Sequence, residues 1–298
     1  MWELYDKLIY GLPESVYIKD VIIGPKWTAV RLSTGHVGIA MTTAVETVRR
    51  RVSDFTGMSL KAAAGYIKSW NFIEASVAMA AINAWYNTTE RMEMLNSRQP
   101  DDRFCTFDYD LSDKNVVMVG RMRNRDSYLA EAKSLIILER DAKAGTYPDS
   151  ACEYVIPESD LVIITGSALI NKTMPRLLQL AGGGGSKVCT GGMANSDRAD
   201  NARESSRIAD SSRLDNACTG GIANSDSTSG DSMRPVIVTG PTVPMAEQLL
   251  PLGIERLAGL VVTDPERMLD FAERGISGPP YDMGERFYLD RKRFTGSR

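Results

Sequence analysis

Two stretches of the chain end an apolar run in Thr-Gly. The first is Leu161-Val162-Ile163-Ile164-Thr165-Gly166-Ser167, which continues through Ala168-Leu169-Ile170 to Asn171-Lys172-Thr173, and the second is Val236-Ile237-Val238-Thr239-Gly240-Pro241-Thr242. β-Branched runs closed this way read as buried parallel strands entering helix N-termini, whose unpaired N–H groups hold anions. Ser167 reads either as a helix N-cap or as the start of a ligand-facing turn that includes Asn171. Three more apolar runs end on residues that carry chemistry: Val116 to Val119 at Gly120, Leu135 to Leu138 at Glu139, and Leu260 to Thr263 at Asp264. Carboxylates on such a rim would bind a cation, act as a general base, for which Glu139 is the candidate, or cap neighbouring helices.

Other chemistries are disfavoured by the same residues. Gly120 opens Gly-Arg-Met-Arg-Asn-Arg rather than the Gly-x-Gly-x-x-Gly that admits a pyrophosphate, so no dinucleotide is expected. Arg121, Arg123 and Arg125 read either as anion contacts or as a solvated charge run. The single histidine, His36, falls in a turn, and no Gly-x-Ser-x-Gly elbow exists, which argues against a Ser-His-Asp hydrolase. Cys105, Cys152, Cys189 and Cys218 are scattered without a Cys-x-x-Cys pair and read as reduced thiols. Metal ligands stay unassigned, and a metal ion or metal chelate is the cofactor class left open.

The five runs alternate with helical segments, among them Lys172 to Leu180 and Val243 to Leu250, and so form a parallel sheet in a Rossmann-like domain. Ligands of such sheets bind beyond the strand carboxyl ends, which gathers Gly120, Glu139, Thr165 to Ser167, Gly240 to Thr242 and Asp264 on one rim. Before them, Val16 to Ile23, Trp27 to Leu32 and Val37 to Met41 form an antiparallel meander punctuated by Gly24-Pro25 and Ser33-Thr34-Gly35. Helices follow over Ser59 to Ser69 and Asn71 to Asn87. Ile73, Val77, Ala80, Ala81 and Ala84 mark one face of the longer helix, while Ser76, Asn83 and Asn87 share a second. That polar stripe is either a solvated side or, at Asn83, the wall of a cleft between domains.

The 298 residues divide into a small α+β domain, 1–105, and a Rossmann-like domain, 106–298, interrupted at about 182–232. The interruption opens with Gly182-Gly183-Gly184-Gly185-Ser186 and repeats Cys189-Thr190-Gly191-Gly192 as Cys218-Thr219-Gly220-Gly221. It reads as an inserted, linker-like element in an α-to-β connection, on the rim away from the ligand; a metal loop built on Cys189 and Cys218 is the rival reading. A net charge of -3 disfavours nucleic acid as a partner. No apolar run approaches the roughly 20 residues of a membrane span, and Met1 to Asp6 lacks a signal peptide's character, so a cytoplasmic protein is expected. Homo-oligomerisation stays open.

The order of Gly38-Ile39-Ala40-Met41-Thr42-Thr43, Glu74-Ala75-Ser76 through Ala80-Ala81-Ile82-Asn83-Ala84, Thr165 to Thr173 and Gly240-Pro241-Thr242 resembles the putative heavy-metal chelation family. The resemblance implies an N-terminal domain similar to the enolase N-terminal fold, a Rossmann-like C-terminal domain, and a site between the two. By position that site would use Thr42, Asn83, Glu139, Thr165, Gly166, Ser167, Asn171, Gly240, Pro241 and Thr242. Ala168 departs from the hydroxyl residue expected there. Residues and resemblance together lead to a protein that binds or processes a small anionic or metal-chelating ligand in the interdomain cleft. The alternatives are a transferase or lyase acting on a small metabolite with Glu139 as base, and a non-catalytic scaffold.

Overall fold

The computed structural model describes residues 2–43, 53–99, 105–106, 108–120, 122, 129–182 and 233–291. Helix α1 (Glu3–Tyr10) precedes the expected meander of β1 (Ile18–Ile23), β2 (Trp27–Leu32) and β3 (Val37–Met41), which pair antiparallel in that order. Ser59 caps α2 (Leu60–Gly65) by accepting from the Ala62 N–H at 3.3 Å, and Asn71 caps α3 (Phe72–Tyr86) by accepting from the Ile73 N–H at 3.1 Å. Each side-chain oxygen satisfies one of the amides that a helix start leaves without a partner. Helix α4 (Thr89–Met94), which follows, is not signalled by sequence periodicity.

Helix α3 has no solvated side: Glu74, Ser76 and Asn83 are as buried as the alanines around them. It runs between the small sheet and the large one, and a helix apolar on nearly all sides is the kind that survives there. The approach to β3 is close, since a Cβ on Gly38 would stand 2.2 Å from the Ala80 carbonyl oxygen.

The large sheet contains β4 (Asn115–Val119), β5 (Ser134–Glu139), β6 (Tyr147–Pro148), β7 (Leu161–Thr165), β8 (Val236–Thr239), β9 (Arg256–Val262) and β10 (Gly284–Asp290). Their spatial order is β10-β9-β8-β7-β4-β5-β6, parallel throughout except for β10. Counted from β4 this is 3-2-1-4-5-6 with an antiparallel seventh strand, the order of doubly wound sheets. The five expected strands are present. Those added are β6, too short to show a period, and β10, a charged edge strand.

Helices α5 (Cys152–Val155), α6 (Ser167–Ile170), α7 (Met174–Ala181) and α8 (Pro265–Glu273) complete the elements used below. The helix expected over 243–250 does not form. Residues 240–246 are irregular and a 3₁₀ segment spans Glu247–Leu252. The Asn87 side chain takes the Val243 carbonyl and the Met245 N–H, and that carbonyl is one a helix over 243–250 would use itself.

Side chains alternate along the central strands, as a pleat requires. Val117, Val162 and Ile164 face the core that contains α3, while Val116, Met118, Leu161 and Ile163 face a smaller cluster with Leu111 and Tyr288. A third cluster packs Trp27 and Ile39 of the small sheet against Met268 and Phe271 of α8. Among the described residues no helix is long and apolar enough to cross a membrane.

The stretch 183–232, with Cys189 and Cys218, lies outside the described residues, as do Arg121, Arg123 and Arg125. Its flanks are tied together at the amino end of β8. The Arg234 amide donates to the Ala181 carbonyl at 3.2 Å, and its guanidinium donates to the carbonyls of Ser159 (3.0 Å) and Pro157. The connection therefore begins and ends on the edge opposite the strand carboxyl ends.

Candidate functional site

In this strand order the connections leave β4 and β7 in opposite directions, so a crevice opens between their carboxyl ends. Gly120 ends β4 with φ +86°, and its amide donates to the Leu138 carbonyl at 2.9 Å. A Cβ there would meet Thr165 Cγ2 at 2.6 Å, so both the dihedral and the contact require glycine. Beside them lies a cleft of about 410 Å³, bounded by residues between Val119 and Leu177 that include Gly120, Glu139, Thr165, Ser167, Asn171 and Lys172.

The β7 exit supplies hydroxyls. Thr165 Oγ1 and Ser167 Oγ stand 3.2 Å apart. Ser167 makes no capping bond to α6, whose N-cap position is Gly166; a helix of one turn leaves the side chain free to face the cleft. Between α6 and α7 the chain reverses over Asn171-Lys172-Thr173. Asn171 Oδ1 accepts from the Thr173 N–H at 3.1 Å and from its hydroxyl at 2.7 Å, an Asx-type turn.

Sequence reasoning did not single out Lys172 as a site residue. It holds φ +68°, which a non-glycine residue seldom adopts. The side chain is buried, its ammonium donates to the Ile170 carbonyl and lies 5.1 Å from the Phe72 ring centroid and 5.9 Å from that of Tyr5. The Tyr5 hydroxyl, whose own pKa burial raises, donates to the Leu169 carbonyl at 3.0 Å. Burial pushes Lys172 down to about 8. Among the described residues no carboxylate pairs with it within 4 Å. The one signal available in sequence was a polar Asn-Lys-Thr interrupting two apolar stretches.

The opposite wall is mixed in charge. Glu139 ends β5, half-buried; Arg140 Nε lies 3.5 Å from Asp149, and Arg176 Nε donates to Glu153 at 2.8 Å. Cys152 also lines the cleft, and burial raises its thiol pKa, which keeps it protonated at neutral pH.

The remaining expected residues lie elsewhere. Asn83 does not line the cleft: its Nδ2 donates to the Ile39 carbonyl at 2.8 Å. Ser76 Oγ accepts from the Thr43 N–H at 3.1 Å, and Asn87 donates to the carbonyls of Val243 (2.8 Å) and Leu260 (3.0 Å) while accepting from the Met245 N–H at 2.8 Å. The polar stripe of α3 is thus a hydrogen-bonded seam that joins both sheets. Thr242 Oγ1 belongs to the same seam, accepting from the Met41 N–H at 3.0 Å, and the Thr42 hydroxyl pairs with that of Thr28 at 2.8 Å. Gly166 packs where a Cβ would meet Val243 Cγ2 at 2.8 Å, and the Gly240 amide donates to the Ala258 carbonyl at 3.0 Å. Pro241 sits between Gly240 and Thr242 in the irregular stretch after β8. Asp264 caps α8 through the Arg267 N–H at 3.2 Å. Of the expected set, the cleft unites Gly120, Glu139, Thr165, Ser167 and Asn171, and its lining comes from the large sheet's part of the chain rather than from both domains.

A second depression, of about 640 Å³, lies by the amino ends of β8 and β9 and contains Arg98, Asp108, Arg256 and Asp290. Its charges are matched internally. Buried Arg256 donates to Asp108 at 2.7 Å and to Asp290 at 2.5 Å, and the bond from Arg256 is the main reason Asp108 falls to about 2.

Two family models, both described as "Putative heavy-metal chelation", match the chain: DUF4213 over residues 5–86 and DUF364 over residues 106–192 and 229–289. A crystal structure of a DUF364-family protein of unknown function from Desulfitobacterium hafniense is similar over 97% of both chains, with 26% identity and a TM-score of 0.73. Another, from Pyrococcus horikoshii and also of unknown function, covers 96% of this chain and 99% of its own, with 20% identity and a TM-score of 0.67, and shows the shared fold. No curated protein matches the chain.

Heavy metals favour thiolate and imidazole ligands. Among the described residues no group of three or more His, Cys, Asp or Glu side chains is placed to hold a metal. In the cleft Asp149 pairs with Arg140, and Cys152 is held as the thiol. This donor set does not fit a directly bound heavy metal.

Proposed function

We propose, for a chain that belongs to the family described as putative heavy-metal chelation, that it binds a small anionic ligand in the cleft at the carboxyl ends of β4, β5 and β7. The observation that carries this reading is Lys172, a residue of the cleft lining held in a left-handed backbone conformation, whose ammonium is buried beside the Tyr5 and Phe72 rings without a carboxylate partner among the described residues. Burying a charge that way is costly, and groups so perturbed in a cleft are candidates for function. The hydroxyls of Thr165 and Ser167 add donors beside it, and Glu139 adds an acceptor, so the cleft orients a ligand that has both an anionic end and a donor end. A ligand of this kind that itself complexes a metal is the sense in which the family description would apply, with the metal held by the ligand.

Isothermal titration with citrate and inorganic phosphate, compared between the natural chain and the Lys172→Met and Ser167→Ala variants, tests this. Binding weakened about ten-fold or more by Lys172→Met supports it, because a charge-assisted contact is lost. Equal affinity in both variants would sink the assignment.

A further inference from the structure

Glu139 occupies a position with a specific meaning in this strand order. It is the last residue of β5, the strand next to β4 on the side away from β7, and follows the Gly120 turn by 19 positions. In doubly wound sheets an acidic residue about 20 positions beyond the first turn, on the second strand, accepts hydrogen bonds from ribose hydroxyls. Here half-buried Glu139 is one of the residues that line the cleft, as are Gly120 and half-buried Val119. The cleft volume of about 410 Å³ lies in the range of small-molecule sites, roughly 300–1,000 Å³.

Building on the anionic-ligand reading above, the geometry points to a ribonucleoside carrying a single anionic substituent, with its vicinal hydroxyls donating to the Glu139 carboxylate. Half-buried Val119 gives a base or other flat group an apolar contact, and the Ser167-to-Lys172 side of the cleft takes the negative charge. The ligand is a mononucleoside rather than a dinucleotide because the chain after Gly120 lacks the second and third glycines that let a pyrophosphate approach the backbone. A carboxylate that accepts from both vicinal hydroxyls makes one charge-assisted hydrogen bond fewer to a ligand that lacks one of them, which lowers that ligand's affinity.

The test titrates the full chain with AMP, GMP, CMP and UMP, with their 2′-deoxy counterparts, and with citrate as an anion that carries no ribose. The expected result is binding of at least one ribonucleotide and a loss of about ten- to a hundred-fold for its 2′-deoxy form. In the Glu139→Gln variant, checked for unchanged cooperative unfolding, ribonucleotide affinity falls and the ribo-to-deoxy ratio approaches one. Equal binding of both sugars, an unaffected Glu139→Gln variant, or binding of citrate with no ribonucleotide overturns the ribose assignment while leaving the anion site standing. Binding of none of these ligands overturns both.

Discussion

Gly120 and Thr165 touch across the carboxyl ends of adjacent strands: a methyl group added to Gly120 would lie 2.6 Å from Thr165 Cγ2. The contact closes the floor of the crevice between β4 and β7. Gly120→Ala is therefore disfavoured twice, by φ +86° and by the collision, and is expected to lower unfolding free energy by about 2–4 kcal/mol in urea titration. Thr165→Ser removes the colliding methyl. In that background the cost of Gly120→Ala should shrink by roughly 1 kcal/mol, and an unchanged cost would show that the strand ends do not pack this way.

Lys172 makes stability depend on pH in the alkaline range. Its folded pKa, near 8, lies below the ordinary value of 10.5, so between these values the unfolded chain holds more protons and stability rises with pH. At pH 7 the lysine is charged in both states and the whole penalty, roughly 3 kcal/mol, is present; it is relieved as pH climbs from 8 to 10.5. Lys172→Met should stabilise the chain by about 1–3 kcal/mol at pH 7 and flatten that rise. Chemical denaturation at pH 7, 8.5 and 10 reads both effects, and a variant less stable than the natural chain at pH 7 would contradict them.

The contrast between Glu139 and Asn83 shows what sequence could and could not reveal. Glu139 was legible because a strand end is a place in the topology: once five apolar runs are read as parallel strands, their carboxyl ends share a rim. The same logic gathered Gly120, Thr165 and Ser167, which line the cleft, and Gly166, Gly240 to Thr242 and Asp264, which do not; Asn171 was marked instead by the polar turn after Ala168-Leu169-Ile170. Asn83 also lies on a legible helix face, but a polar residue at helical spacing fits a pocket wall, a solvated side and a buried seam equally well. What decides is the second layer, the small sheet that comes so close to α3 that Asn83 Nδ2 bonds to the Ile39 carbonyl. Lys172 was hidden for a different reason. Its burial depends on Tyr5 and Phe72, residues far away in sequence, and its backbone angle depends on how two short helices meet. The missing helix after β8 was hidden likewise, because the Val243 carbonyl it would have used is taken by Asn87, 156 positions away in sequence.

Asn87 should matter more than Asn83. Truncating Asn87 strips partners from the carbonyls of Val243 and Leu260 and from the amide of Met245, whereas truncating Asn83 strips one, the carbonyl of Ile39. Unsatisfied buried groups cost about 1–3 kcal/mol each, non-additively. Asn87→Ala is accordingly expected to lower unfolding free energy by about 3–5 kcal/mol and Asn83→Ala by about 1–2. If Asn83→Ala were instead neutral for stability but abolished ligand binding, the seam would have to be reinterpreted as part of the site.

Residues 183–232 can be tested by removal. The Arg234 amide already meets the Ala181 carbonyl at 3.2 Å, so the flanking backbone is held together independently of what connects it. The family match also passes over residues 193–228. Replacing 183–232 with about six Gly and Ser residues leaves enough chain to span the gap. Because loop-closure entropy changes slowly with length, the shortened chain should be as stable as the natural one or more stable by up to about 2 kcal/mol. Its ligand affinity should be unchanged, since the flanks sit at the amino end of β8 while the cleft opens at the carboxyl ends of β4, β5 and β7. Differential scanning calorimetry and the citrate titration are the readouts. A lower melting temperature with intact binding would assign the segment to stability, and lost binding in a cooperatively folding chain would place it at the site after all.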